Sequence, residues 1–136
     1  MVGVLVITHG DLCNELIKAA ELIKGKYEGV LPVSVDSNKG VEDIKKEITA
    51  AIKKVDKGDG VLILTDLFGG TPSNIALSFL KENKVEVVTG VNLPMMLKLD
   101  IRKEKKLTEL SYFIKDYGRK NISLASEILK RDIGGK

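Results

Sequence analysis

The stretch Val2-Gly3-Val4-Leu5-Val6-Ile7-Thr8-His9-Gly10-Asp11 settles the fold class. Val2 to Thr8 is β-branched and apolar on both faces, the pattern of a strand covered on each side, and not the alternation of a half-solvated one. Directly after it, Leu12, Leu16, Ile17, Ala20 and Ile23 recur at helical spacing to Lys24, with Asp11 placed as N-cap and Gly25 just past the end. A buried strand feeding a helix through a three-residue turn is the first half of a parallel crossover unit.

The alternation continues along the chain. Val30 to Val35 reads as a second strand, pushed toward a sheet edge by Pro32, and Val41 to Val55 as an amphipathic helix through Ile44, Ile48, Ala51, Ile52 and Val55. Val61 to Thr65 is a third, central strand, and Asp66 stands at its carboxyl end. Thr71 is placed to cap, and Pro72 to open, a helix running to about Glu82. Val85 to Thr89 makes the fourth strand, followed by Gly90 to Pro94 and a short helix with Met95, Met96, Leu97 and Leu99. One last amphipathic helix spans roughly Leu107 to Lys130, with Gly118 its weak point.

Strands and helices in strict alternation predict a doubly wound α/β fold with a mainly parallel four-stranded sheet, in the flavodoxin-like order 2-1-3-4, and helices on both faces. The 136 residues make a single domain, 1–136. With 43% hydrophobic and 30% charged residues the chain is globular and not disordered. No apolar run nears the ~18 residues of a membrane span, and no secretory signal opens the chain, so a cytoplasmic protein is expected. The single cysteine, Cys13, cannot form an internal disulfide. A net charge of +3 with 4% aromatics excludes a nucleic-acid surface, and Arg102-Lys103-Glu104-Lys105-Lys106 reads as solvated surface.

Open sheets of this kind bind ligands beyond the carboxyl ends of the strands, where the winding reverses. That point lies between strands one and three, so His9, the only histidine, and Asp66 are expected side by side there. An imidazole at a strand end is nucleophilic near neutral pH, and a carboxylate on one ring nitrogen would fix the tautomer, free the other to attack and stabilise the charged ring. A histidine that merely satisfies a turn fits the same position. Gly69-Gly70-Thr71-Pro72 offers close backbone approach, a hydroxyl and a helix start, suited to a phosphoryl group; an ordinary turn is the competing reading. The loop is neither a Walker A loop nor a dinucleotide fingerprint. Cys13 is read as a small buried residue in preference to a nucleophile, and no metal-ligand spacing is present. One of Met95 and Met96 packs inward while the other faces the site mouth, with Asn92 and Pro94 shaping that rim.

Ile7-Thr8-His9-Gly10, Thr65-Asp66-Leu67-Phe68-Gly69-Gly70-Thr71-Pro72-Ser73-Asn74 and Gly90-Val91-Asn92-Leu93-Pro94-Met95 together resemble the IIA protein of the mannose/fructose/sorbose class of the bacterial phosphoenolpyruvate-dependent sugar phosphotransferase system. The likeness covers nearly the whole chain. It implies a phosphotransferase that takes a phosphoryl group onto His9 from the phosphohistidine of the phosphocarrier protein and hands it to a IIB protein for coupled sugar uptake. Attack would come from Nε2, with Asp66 on Nδ1. Gly10, Gly69, Gly70 and Thr71 would bind the phosphoryl group, and Phe68, Asn92, Pro94 and Met95 would form the partner-facing rim. No cofactor and no metal is implied. The resemblance further implies a homodimer, in known members with an exchanged C-terminal strand, and contact with a membrane permease only through a separate IIB protein. Phe68 stands where some members carry tryptophan. A regulatory module of the same fold and a dihydroxyacetone-kinase phosphotransfer subunit are the alternatives.

Overall fold

Four parallel strands carry the structure, a computed structural model describing the backbone of residues 1–134 and the side chains through Lys130. They are β1 (Gly3–His9), β2 (Val30–Val35), β3 (Val61–Thr65) and β4 (Val85–Thr89), ordered β2-β1-β3-β4. This is the order expected from the sequence, and Pro32 does lie on an edge strand. In the register, Ile7 lies opposite Val33 on one side and Thr65 on the other, so β1 runs two residues past the end of β3, to His9.

Two apolar layers sandwich the sheet. Val4, Val6, Leu62 and Leu64 pack toward α1 (Leu12–Lys24), α4 (Leu93–Leu97) and α5 (Leu107–Lys120). Leu5, Ile7, Val61 and Ile63 pack toward α2 (Val41–Val55) and α3 (Thr71–Leu77). Successive side chains of a strand point to opposite faces, so the two-sided apolar runs of β1 and β3 fill both layers at once. Complete burial of a Leu or Ile is worth about 1.5–3 kcal/mol relative to exposure, which makes these two strands the main source of stability.

Several local expectations change. Asp11 does not cap α1 with its side chain. Thr8 does the equivalent work from inside the strand, its Oγ1 accepting the Cys13 amide at 2.8 Å, while the Asp11 carboxylate accepts from Ser34 Oγ at 3.3 Å. Helix α3 stops at Leu77, short of Glu82, because the chain tightens to i→i−3 bonds at Phe79 and Leu80 and then turns through Asn83, at φ 61°, into β4. Asparagine tolerates that left-handed conformation.

The long C-terminal helix is two. It breaks after Lys120, where Asn121 Nδ2 donates to the Tyr117 carbonyl at 2.8 Å, and resumes as α6 (Ala125–Gly134). Gly118 is not the break. A Cβ there would stand 2.5 Å from Met95 Sδ, so the glycine lets α4 seat against α5. No fifth strand follows α5 among the described residues, and 135–136 lie outside them.

The basic stretch also divides. Glu104 to Lys106 follow a 3₁₀ turn (Leu99–Lys103), but Arg102, inside that turn, is only 4% exposed. Its guanidinium donates to the carbonyls of Val2 and Gly29, at 3.3 and 3.2 Å, and to that of Glu28. The side chain that the sequence pattern assigned to solvent thus ties together the starts of β1 and β2 through three carbonyls, one of which, Gly29, also accepts the Val4 amide at 2.9 Å.

Candidate functional site

At the carboxyl end of the sheet, β1 delivers His9 and β3 delivers Asp66 to one spot. Asp66 Oδ2 lies 3.0 Å from His9 Nδ1 and also accepts the His9 backbone amide at 3.1 Å. One carboxylate oxygen therefore fixes both the chain and the ring of the same residue. The aspartate side chain is 13% exposed and the histidine 52%, so the carboxylate is sheltered and the imidazole open to solvent. With Nδ1–H held by a carboxylate, the neutral ring carries its free lone pair on Nε2.

The ring rests on a glycine. A Cβ on Gly70 would come 2.8 Å from His9 Cε1 and 3.1 Å from Nε2, so only glycine lets the loop lie against that edge of the ring. Gly69, at φ +99°, turns the chain just before it. Ser73, missed from the sequence, holds the loop: its buried Oγ accepts the Gly69 amide at 2.8 Å and donates to the Gly70 carbonyl at 3.0 Å. A serine three residues past a glycine pair, at the start of a helical pattern, is the signal that could have found it.

The four expected phosphoryl-binding residues separate on inspection. The Gly10 amide is committed to the Val35 carbonyl at 2.8 Å and the Gly69 amide to Ser73, so neither offers a backbone donor. The amides of Gly70 and Thr71 have no acceptor among the described residues. The Thr71 hydroxyl caps nothing, the N-cap position being Gly70, and Thr71 is exposed. It borders a groove of about 340 Å³ between α2 and α3, with Val41, Lys45 and Asn74.

The expected rim is only partly a rim. Phe68 is 71% exposed beside Leu67, and Leu12, three residues after His9, is exposed as well. Met95, by contrast, is buried, and Asn92 is a clamp: its Oδ1 accepts the Met95 amide at 3.1 Å and its Nδ2 donates to the Gly118 carbonyl at 3.1 Å. Pro94, half-buried, occupies the first turn of α4. Neither methionine faces solvent, since the close approach of α5 at Gly118 covers Met95. Cys13 is buried as expected, with Sγ 3.4 Å from Ser34 Oγ.

An imidazole oriented by a carboxylate at the switch point of a doubly wound sheet, with glycine backbone on its free edge, is an arrangement chemically suited to group transfer on a histidine nitrogen. Residues 3–114 match the family described as PTS system fructose IIA component. The chain is 30% identical to the fructose-specific EIIA component of Bacillus subtilis, over 96% of this chain and 91% of that one. It is 32% identical over 97 residues to the mannose-specific EIIAB component of Escherichia coli, spanning 30% of that longer protein. Among solved structures it resembles the PTS IIA protein associated with the fucose utilization operon of Streptococcus pneumoniae, with 26% identity, TM-score 0.82, and coverage of 95% of this chain and 99% of that one. The chain belongs to the IIA components of the mannose/fructose/sorbose class of the phosphotransferase system.

No described helix is long and apolar enough to cross a membrane.

Proposed function

We propose that the protein is a phosphoryl carrier whose acceptor atom is His9 Nε2, loaded by the phosphohistidine of the phosphocarrier protein and discharged onto a IIB protein that couples sugar uptake to phosphorylation. The observation that carries this reading is the 3.0 Å contact of Asp66 Oδ2 with His9 Nδ1, which leaves Nε2 as the one free nitrogen of a half-exposed ring.

The Nε2 lone pair forms the new N–P bond as the donor's N–P bond breaks, and the donor nitrogen keeps that electron pair. The imidazole becomes cationic as its lone pair is shared, and the Asp66 carboxylate, already on Nδ1–H, stabilises that charge without moving. Donor and product are both phosphohistidines, so the protein supplies positioning and charge stabilisation and needs no external energy source. The free amides of Gly70 and Thr71, with the Thr71 hydroxyl, act as donors to phosphoryl oxygens. Gly10 and Gly69 serve by shape alone. Phe68, with Leu67 and Leu12, meets the two partner proteins in turn.

The whole chain, 1–136, works as one domain in the cytoplasm and as a homodimer, reaching the membrane permease only through its IIB partner. Purified protein mixed with phosphoenolpyruvate, enzyme I and the phosphocarrier protein should gain a single acid-labile phosphoryl group, and adding a IIB protein should remove it. A demonstrably active donor that leaves the protein unlabelled would sink the reading.

A further inference from the structure

Two buried oxygens near the site have no hydrogen-bond partner among the described residues: Thr65 Oγ1 and Asp66 Oδ1. Thr65 is completely buried, at the last position of β3. A buried hydroxyl or carboxylate oxygen left unpaired is costly, and the few that persist in native proteins cluster where they do work. These two are complementary, one able to donate and the other only to accept.

They belong to consecutive residues at the carboxyl end of β3. Thr65 lies opposite Ile7, and along β3 it continues the face of Val61 and Ile63 that packs toward α2 and α3. His9 follows Ile7 by two residues and so shares that face, in agreement with its ring resting on Gly70 just ahead of α3. Thr65 therefore lies on the same face as His9, one pleat back along the sheet, and next to Asp66 in the chain. Its backbone is pinned as well, the carbonyl accepting the Val91 amide at 2.9 Å. Only the hydroxyl is uncommitted.

Asp66, meanwhile, makes both of its contacts to His9 through Oδ2. A carboxylate held by one oxygen can pivot about it, and a pivot would change the line of approach to Nδ1. We propose that Thr65 is a positioning residue: its Oγ1–H turns to Asp66 Oδ1 and holds the second oxygen, so that Oδ2 stays in line with the ring as the histidine gains and loses charge. The two atoms are unbonded in the present arrangement, so the bond requires side-chain rotation to form. This rests on the proposed role of His9 for its kinetic consequence, while its effect on the ring tautomer stands without that role.

The test compares Thr65→Val, which replaces the hydroxyl by a methyl at nearly the same volume, with Thr65→Ser, which keeps it. His9 is the only histidine, so nitrogen NMR reports its ring without overlap. Thr65→Val is expected to lower the fraction of ring protonated on Nδ1 and to slow phosphoryl acceptance from the phosphocarrier protein by about tenfold, the size of one hydrogen bond to a charged group. Thr65→Ser is expected to keep the wild-type tautomer and a rate within about threefold of it. A Thr65→Val protein with wild-type tautomer and rate overturns the proposal, as does a Thr65→Ser protein as slow as Thr65→Val. If Thr65→Val fails to fold, Thr65→Ser decides through the same two readouts. Failure of the wild-type protein to accept phosphate, with the tautomer effect present, would instead strike the function assigned to His9.

Discussion

The two ends of the sheet use buried polar groups in opposite ways. At the amino end, Arg102 is almost wholly enclosed and gives its donors to three backbone carbonyls, and Tyr27 nearby donates to the Met96 carbonyl at 2.6 Å. At the carboxyl end, the histidine is half exposed, its aspartate keeps one buried oxygen unpaired, and two backbone amides wait without acceptors. The larger cavity, about 740 Å³ and bordered by Arg102 and Lys103 to Glu109, belongs to the amino end. Size alone would have placed a site there. Unsatisfied, oriented groups are the better guide, because they have interactions left to give.

If that contrast is right, substitutions at one end should cost activity without stability, and at the other stability without activity. His9→Ala should abolish phosphorylation, read by intact mass, with an unfolding midpoint close to that of the parent. Arg102→Ala should lose about 3 kcal/mol in chemical denaturation, since the carbonyls of Val2 and Glu28 lose their donor and the packing of a buried side chain is lost, while the rate of phosphoryl acceptance by the folded protein is unchanged. A slow but stable Arg102 variant would break the division between the two ends.

Asp66→Asn keeps the shape but not the charge, so acceptance should slow by about thirtyfold in single-turnover kinetics, equivalent to about 2 kcal/mol of lost stabilisation of the charged ring. Gly70→Ala is compatible with its backbone at φ −87°, yet the new Cβ would displace the imidazole. About a tenfold slower transfer with almost unaltered melting is expected, matching the loss of one hydrogen bond's alignment.

The smallest effect concerns pH. Burial, and after it the Asp100 carboxylate, raise the Tyr27 hydroxyl above its ordinary value. The folded state thus favours the protonated phenol. Its contribution to stability is complete below the unfolded value of about 10 and is lost as pH rises through the higher folded value. Denaturation midpoints of wild type and Tyr27→Phe should therefore converge as pH rises above about 10.

What the sequence made legible follows from what periodicity encodes. The apolar runs of β1 and β3 require burial on both faces, and that requirement brings His9 beside Asp66 before any coordinates are known. The failures are of another kind. Arg102 looks like its lysine neighbours in composition, and only the three-dimensional positions of Val2, Glu28 and Gly29 show that their carbonyls accept from it. Asn92 and Met95 sit in a motif that looks like a site rim, but the packing of Gly118 on α5, distant in sequence, turns them inward. The end of α3 at Leu77 was hidden by helical spacing that continued to about Glu82, and Asn83 marks only the later turn into β4. Gly10 and Gly70 are alike as letters; their amides differ because one lies within reach of Val35.

The central claim is about one atom. Phosphorylated protein labelled with ¹⁵N at its single histidine should show, by ¹⁵N and ³¹P NMR, phosphorus bonded to Nε2, with Nδ1 still protonated toward Asp66. Phosphorus on Nδ1, or on any side chain other than His9, would contradict the account.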